Sequence, residues 1–354
     1  MSRAPRARAA AEEALEDPER AIRGNPELFG HGAAAATLES AARSGRLHHA
    51  WLVTGAPGVG KATLCYRFAR WLLAGAPPGE PDGDAPLHLP PADPAFARVA
   101  AGAHADLRTV RPVAGEGGTR PAIRIEHVRE AIRFLSLTPA EGGWRVVVIE
   151  DVDATRAEQA NALLKTLEEP PPRAVLLLTS SAPGRLLPTI RSRCRRLDLG
   201  PLPPAEMGRW LAGRMPELGP AERDRLASIA EGSPGRAIQL AEADGLAIQA
   251  MVEEALGNLD RRRWHAMADA LAAKRDGSAF VTFMALLRRA IAGAARAAAR
   301  GGTAPTWLAA RSLAEWSTLW DRLGALAAET EGLNLDRKQA VLVALGLIAA
   351  KEPR

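Results

Sequence analysis

Nine residues, GAPGVGKAT from Gly55 to Thr63, combine glycines and a lysine in the spacing G-x-x-x-x-G-K. That spacing serves capture of a nucleotide's phosphates. Gly55, Gly58 and Gly60 let the backbone turn tightly, the amide N–H groups from Ala56 to Lys61 surround the phosphates, and Lys61 reaches the terminal ones. The position after the lysine, where a Ser or Thr hydroxyl would bind Mg²⁺, holds Ala62. Magnesium tolerates little departure from octahedral geometry. Thr63 cannot stand in, because one residue along a helix is a rotation of roughly 100°.

A second chemical element closes the run WRVVVIEDVD: Glu150 and Asp151. In a nucleotide hydrolase one such carboxylate belongs to the metal shell and the next activates water. The usual order is Asp-Glu, and here it is Glu-Asp. The water-activating side chain is therefore shorter by one methylene, roughly 1.5 Å, and small misplacements of reacting groups cost about a hundredfold in rate. Phosphate binding is expected to survive these departures and hydrolysis is not. In isolation the pair also reads as a solvated strand end.

The elements that must position these groups are legible around them. HAWLVTG (49–55), WRVVVIEDVD (144–153) and AVLLLTS (174–180) are short β-rich apolar runs alternating with helical stretches between about Pro26 and Gly200. Such alternation predicts a buried parallel sheet wrapped by helices. The first run feeds directly into the glycine loop, and Lys61 opens the amphipathic stretch ATLCYRFARWLL. In ANALLKTL, Ala160, Leu163, Leu164 and Leu167 share one face and read as core, with Pro170, Pro171 and Pro172 ending the helix. Prolines at 77, 78, 81, 86, 90, 91 and 94 make 75–103 an irregular insertion or mobile loop. After PLPP (201–204) only helical patterns remain.

With 354 residues, the chain is long enough for two or three domains. A net charge of +5 permits an anionic partner without establishing one. Cys65 and Cys194 read as two buried thiols in a reducing compartment. No apolar run is expected to cross a membrane, the longest, VLVALGLIAA at 341–350, reading as a buried helix. Residues 1–24 lack a signal-peptide core and read as a loose tail.

Asn161 to Cys194, NALLKTLEEPPPRAVLLLTSSAPGRLLPTIRSRC, resembles the signature region of bacterial clamp-loader subunits of the AAA+ class. The resemblance extends from Leu28-Phe29-Gly30-His31 to Arg236 and includes GRLHHAWLVTGAPGVGKATL and Ile125-Glu126-His127-Val128-Arg129. It implies that Arg193, in Ser192-Arg193-Cys194, is an arginine finger acting in trans on a neighbour's ATP. Arg185, Arg191, Arg195 and Arg196 keep the plainer reading of a solvated surface. Ser180 stands where the family's first nucleotide sensor carries a polar residue. At the second sensor the motor subunits have Gly-Ser-x-Arg, whereas Arg236 follows Gly232-Ser233-Pro234-Gly235 one place late. Many members carry a four-cysteine zinc module after the loop helix. This chain has no cysteine between Cys65 and Cys194, and His88 and His104 read as ordinary loop residues, so no zinc is expected.

The resemblance implies an α/β AAA+ domain with a phosphate loop and parallel sheet (25–200), a small helical lid (201–242) and an all-α collar (243–354). The last could equally be a private helical core holding Trp264, Trp307, Trp316 and Trp320. It further implies a cytoplasmic member of the ring with weak or vestigial ATP binding and no ATPase of its own. Its partners would be delta and gamma/tau subunits and, through the complex, a sliding clamp and primed DNA. The alternatives are a motor ATPase of the same class, either of gamma/tau type or a branch-migration helicase, and a small-molecule kinase. The kinase leaves the Ser-Arg-Cys segment and the helical tail unexplained.

Overall fold

Five parallel strands in the order β2-β3-β4-β1-β5 carry the loop at the C-terminal end of β1 in a computed structural model of the chain. The structure describes residues 18–77, 85–113, 121–141, 143–258, 260–274 and 276–350. In chain order the first elements are α1 Pro18–Arg23, α2 Gly32–Arg43, β1 Ala50–Thr54, α3 Lys61–Leu73, α4 Pro94–Ala100 and β2 Leu107–Val110. There follow α5 Ile125–Leu135, β3 Arg145–Ile149, α6 Ala157–Glu168, β4 Ala174–Ser180, the single turn α7 Pro188–Arg191, and β5 Arg195–Asp198. Every residue of β1, β3 and β4 is buried. The alternation of side chains along each strand divides them between two cores. Trp51, Val53, Val146, Val148, Val175 and Leu177 pack with α2 and α3, and Leu52, Val147, Ile149, Leu176 and Leu178 pack with α5 and α6. Burial on both faces explains why these strands read as continuous apolar runs.

Several expectations change. Strand β3 stops at Ile149, and Val152–Ala154 form a tight helical turn. Strands β2 and β5 carry no apolar run because they are the two sheet edges. Arg195 and Arg196 therefore belong to an edge strand, Arg195 lying 4.9 Å over the Trp51 ring and Arg196 donating to Asp198 at 2.7 Å. Of the expected tail, residues 1–17 lie outside the described residues, while 18–23 form α1. Buried Arg70 of α3 donates to the carbonyls of Arg23 and Asn25 and ties that helix down. Part of the proline-rich insertion, 78–84, also lies outside the described residues. Its later part is ordered: Asp93 accepts from Ala95 N at 2.7 Å and caps α4, with Pro94 in the first helical turn. Buried Arg67 holds the same insertion through the Pro86 carbonyl at 3.0 Å.

Helices complete the described chain: α8 Pro204–Arg214, α9 Pro220–Ala230, α10 Pro234–Glu242, α11 Gly245–Asn258, α12 Trp264–Ala272, α13 Ser278–Ala299, α14 Leu313–Gly332 and α15 Arg337–Ala349. Two compact units result. The first holds the sheet, residues up to Trp210 and the short stretch Glu231–Gly235; the second holds Leu211–Ala230 and the chain from Arg236 onward. In the second unit a Ser312–Glu315 capping box starts α14, and Asp336 caps α15 by accepting from Gln339 N at 2.8 Å. Trp316 is buried, meets the Trp307 ring edge-on at 5.1 Å and donates to Leu308 O. The expectation of no membrane-length run fails for α13, which is long and apolar enough to qualify. Phe280, Phe283, Leu286, Leu287 and Ile291 bury one face of it, and it packs with α11 and α14.

His104 is buried rather than an ordinary loop residue. Its Nδ1 accepts from Asp106 N at 3.1 Å, which leaves the proton on Nε2, 3.9 Å from a Glu141 carboxylate oxygen. Arg98 holds the other oxygen of Glu141 at 2.9 Å. Burial is the largest influence and draws the His104 pKa below its ordinary 6.5. Below that value the unfolded chain takes up a proton that the folded ring refuses, so stability falls with acidification. His104→Asn keeps the acceptor and removes the titration. Urea unfolding between pH 7 and 5 should show a shallower acid loss for this variant, with the remainder from His49, whose pKa burial also lowers.

Candidate phosphate-loop site

The loop leaves β1 at Gly55 and enters α3 through Gly60, whose φ of 109° only glycine adopts without strain. Every carbonyl from Gly55 to Val59 has a donor. Lys61 Nζ donates to Gly55 O and to Ala56 O, both at 3.0 Å. The Ser233 hydroxyl donates to Pro57 O at 2.9 Å and the Gly235 N–H to Gly58 O at 2.9 Å. His31 Nε2 lies 2.9 Å from Val59 O and, facing a carbonyl, must be the donor. The amides of Gly58, Gly60, Lys61, Ala62 and Thr63 find no acceptor among the described residues. Free amides at the start of a thirteen-residue helix form a cradle for an anion.

Lys61 is buried and also donates to Ser181 Oγ at 2.9 Å. Burial draws its pKa down, and the charges of Asp151 and Asp153 pull it back up. Ser181 N–H donates in turn to Asp153 Oδ1 at 3.1 Å. Asp151 adopts a left-handed conformation, φ 46°, and its N–H donates to Thr179 Oγ1 at 2.9 Å. Burial raises the pKa of its carboxyl. Ala62 packs against the apolar core on the α3 side of the sheet.

Glu150, expected from its spacing to serve a metal shell, is engaged by other side chains. Its Oε1 accepts from Tyr66 Oη at 2.6 Å and from Arg111 Nη2 at 3.2 Å. Burial and the neighbouring Glu150 charge push the Tyr66 phenol well above its usual range, so it remains a donor. Ser180 is wholly buried, its Oγ accepting from Ala182 N at 3.2 Å, and it is Ser181 that touches Lys61. Ser181, Asp153 and Tyr66 are the residues that motif reading missed, and His31 and Ser233, which stand in quoted motifs, were given no contact with the loop. Ser181 and Asp153 stand one and two places beyond residues the reading singled out, and no motif marks Tyr66. Arg236 belongs to the second unit, where burial draws its guanidinium below the ordinary range. What the second-sensor segment supplies to the loop is Ser233 and Gly235.

Arg193 follows α7. Its Nη1 donates to Thr189 O at 3.0 Å and its Nη2 pairs with Glu168 Oε1 at 2.7 Å, with 35% of the side chain exposed. Cys194 packs on the α5–α6 core, and burial pushes its thiol up to about 12. Cys65 is buried and its thiol is likewise raised. Neither has the low-pKa environment of a reactive cysteine.

A parallel sheet whose first strand feeds a glycine loop and helix, with an acidic pair after the third strand and hydroxyls at the end of the fourth, defines a phosphate-loop α/β protein. A family model described as "DNA polymerase III, delta subunit" matches residues 30–203. The DNA polymerase III subunit delta' of Pseudomonas aeruginosa PAO1 is 38% identical over 187 residues, 52% of this chain and 53% of that protein. The delta' subunit of Escherichia coli K12 is 32% identical over 237 residues, 66% of this chain and 67% of that protein. The E. coli tau subunit is 30% identical over 230 residues, 61% of this chain and 33% of its own length. The matched stretch thus spans about half of the Pseudomonas relative and two thirds of the E. coli one. The chain belongs to the DNA polymerase III delta' family of clamp-loader subunits.

The close seat of Gly235 on the loop has a measurable consequence. A Cβ there would lie 2.7 Å from Gly58 Cα and 3.1 Å from Gly58 O, backbone atoms that cannot step aside. Gly235→Ala should lower the unfolding free energy by about 1–3 kcal/mol, read from urea denaturation. An unchanged midpoint would mean that 233–235 does not hold the loop.

Proposed function

We propose that this chain serves as the delta' subunit of a DNA polymerase III clamp loader in the cytoplasm. It is a fixed, non-hydrolysing member of a ring with delta and gamma/tau subunits, and helps open a ring-shaped sliding clamp and place it on primed DNA. In this reading 25–200 is the AAA+ domain, 201–242 the lid and 243–354 the collar. The observation that carries it is a complete phosphate cradle without metal machinery: Ala62 offers no hydroxyl, and Glu150 is bound by Tyr66 and Arg111. ATP would lie on the amides of Gly58 and Gly60 to Thr63, and Lys61 would have to leave three oxygens to reach it. Binding is accordingly weak or vestigial, and the chain's chemical contribution is made next door through Arg193. The similarity to tau keeps a hydrolysing motor as the second reading.

The test uses a reconstituted assembly in which only the motor subunit facing Arg193 retains its own loop lysine. Arg193→Ala should lower DNA-stimulated ATP hydrolysis at that site on the order of a thousandfold, with the variant still incorporated into the ring. Unchanged turnover would remove the finger from the proposal.

A further inference from the structure

We propose that Glu168 is a positioning residue for Arg193. The inference rests on the reading of Arg193 as a finger acting in trans. A guanidinium has five N–H donors, and two of the Arg193 nitrogens are already engaged, by Thr189 O at 3.0 Å and by Glu168 Oε1 at 2.7 Å. The group is thereby held along one edge. Among the described residues no other acceptor meets it, so its remaining donors are free for an incoming anion while the hold persists.

Both anchors are fixed by the core. Glu168 is the last residue of α6, next to buried Leu167, and Pro170, Pro171 and Pro172 keep the helix from running on. Thr189 lies in α7 beside wholly buried Ile190, and both elements pack into the core shared with α5. A carboxylate at a helix C-terminus opposes the helix dipole, so Glu168 is not there to support α6. At 35% and 49% side-chain exposure, the pair is also too solvated to contribute much to the fold. What the contact does is restrict a long, flexible side chain to one orientation, and a finger needs that before a neighbour's phosphoryl group arrives.

In the assembly described above, Glu168→Ala should lower kcat at the facing site about tenfold, leaving the KM for ATP and incorporation into the ring unchanged. Glu168→Gln, which keeps the accepting oxygen and loses the charge, should recover most of that loss. In an Arg193→Ala background, Glu168→Ala should have no further effect, since its influence passes through the guanidinium. If Arg193→Ala itself is silent, the finger reading fails and this inference with it. If Arg193→Ala abolishes turnover while Glu168→Ala leaves kcat unchanged, raises it, or lowers it equally without Arg193, only the positioning role is overturned.

Discussion

The site depends on a buried ammonium held by its own loop. Lys61 Nζ has three oxygen acceptors within 3.0 Å, two of them carbonyls of the loop that presents it. A buried cation must be hydrogen-bonded or it becomes costly, and these oxygens meet that need without a bound phosphate. With Ser233, Gly235 and His31 holding the next three carbonyls, the loop keeps its shape from within the chain. A phosphate would compete for a lysine that is already satisfied, and this is the physical basis of the weak binding proposed for a loop that looks complete by spacing.

The acidic side of the site has been redirected in the same sense. Glu150 accepts a phenol and a guanidinium, while Asp151, nearer in its electrostatic influence to Lys61, sits in a left-handed turn with a raised pKa. Ala62 packs on apolar neighbours where a hydroxyl would face a metal. Ala62 on α3 and the Glu150-Asp151 turn after β3 thus depart from a hydrolase's arrangement in the same direction, while the loop's free amides remain placed to receive a phosphate.

Much of this was legible in the residues, and what was not has identifiable causes. The β1, β3 and β4 runs were readable because strands buried on both faces leave uninterrupted apolar stretches. Edge strands have no such signature: Arg195–Asp198 is largely exposed and looks like surface, and Leu107–Val110 is only four residues long with two polar residues between its buried ends. The loop and acidic pair announced themselves by spacing. The partners that decide their behaviour did not, because Tyr66, Ser181, Ser233 and His31 reach the site across the fold and no local pattern encodes their hydrogen bonds. The helix Pro94–Ala100 was hidden by its prolines, although Asp93-Pro94 is itself a helix-start signal.

The most direct test of a self-satisfied, non-hydrolysing loop is calorimetric titration of the full chain with ATP, with and without Mg²⁺, beside a steady-state phosphate-release assay. The account requires weak or absent binding that magnesium does not strengthen, with no phosphate released. Tight, magnesium-dependent binding with sustained turnover would contradict it, and Lys61 would then have to be an ammonium that leaves its three oxygens readily.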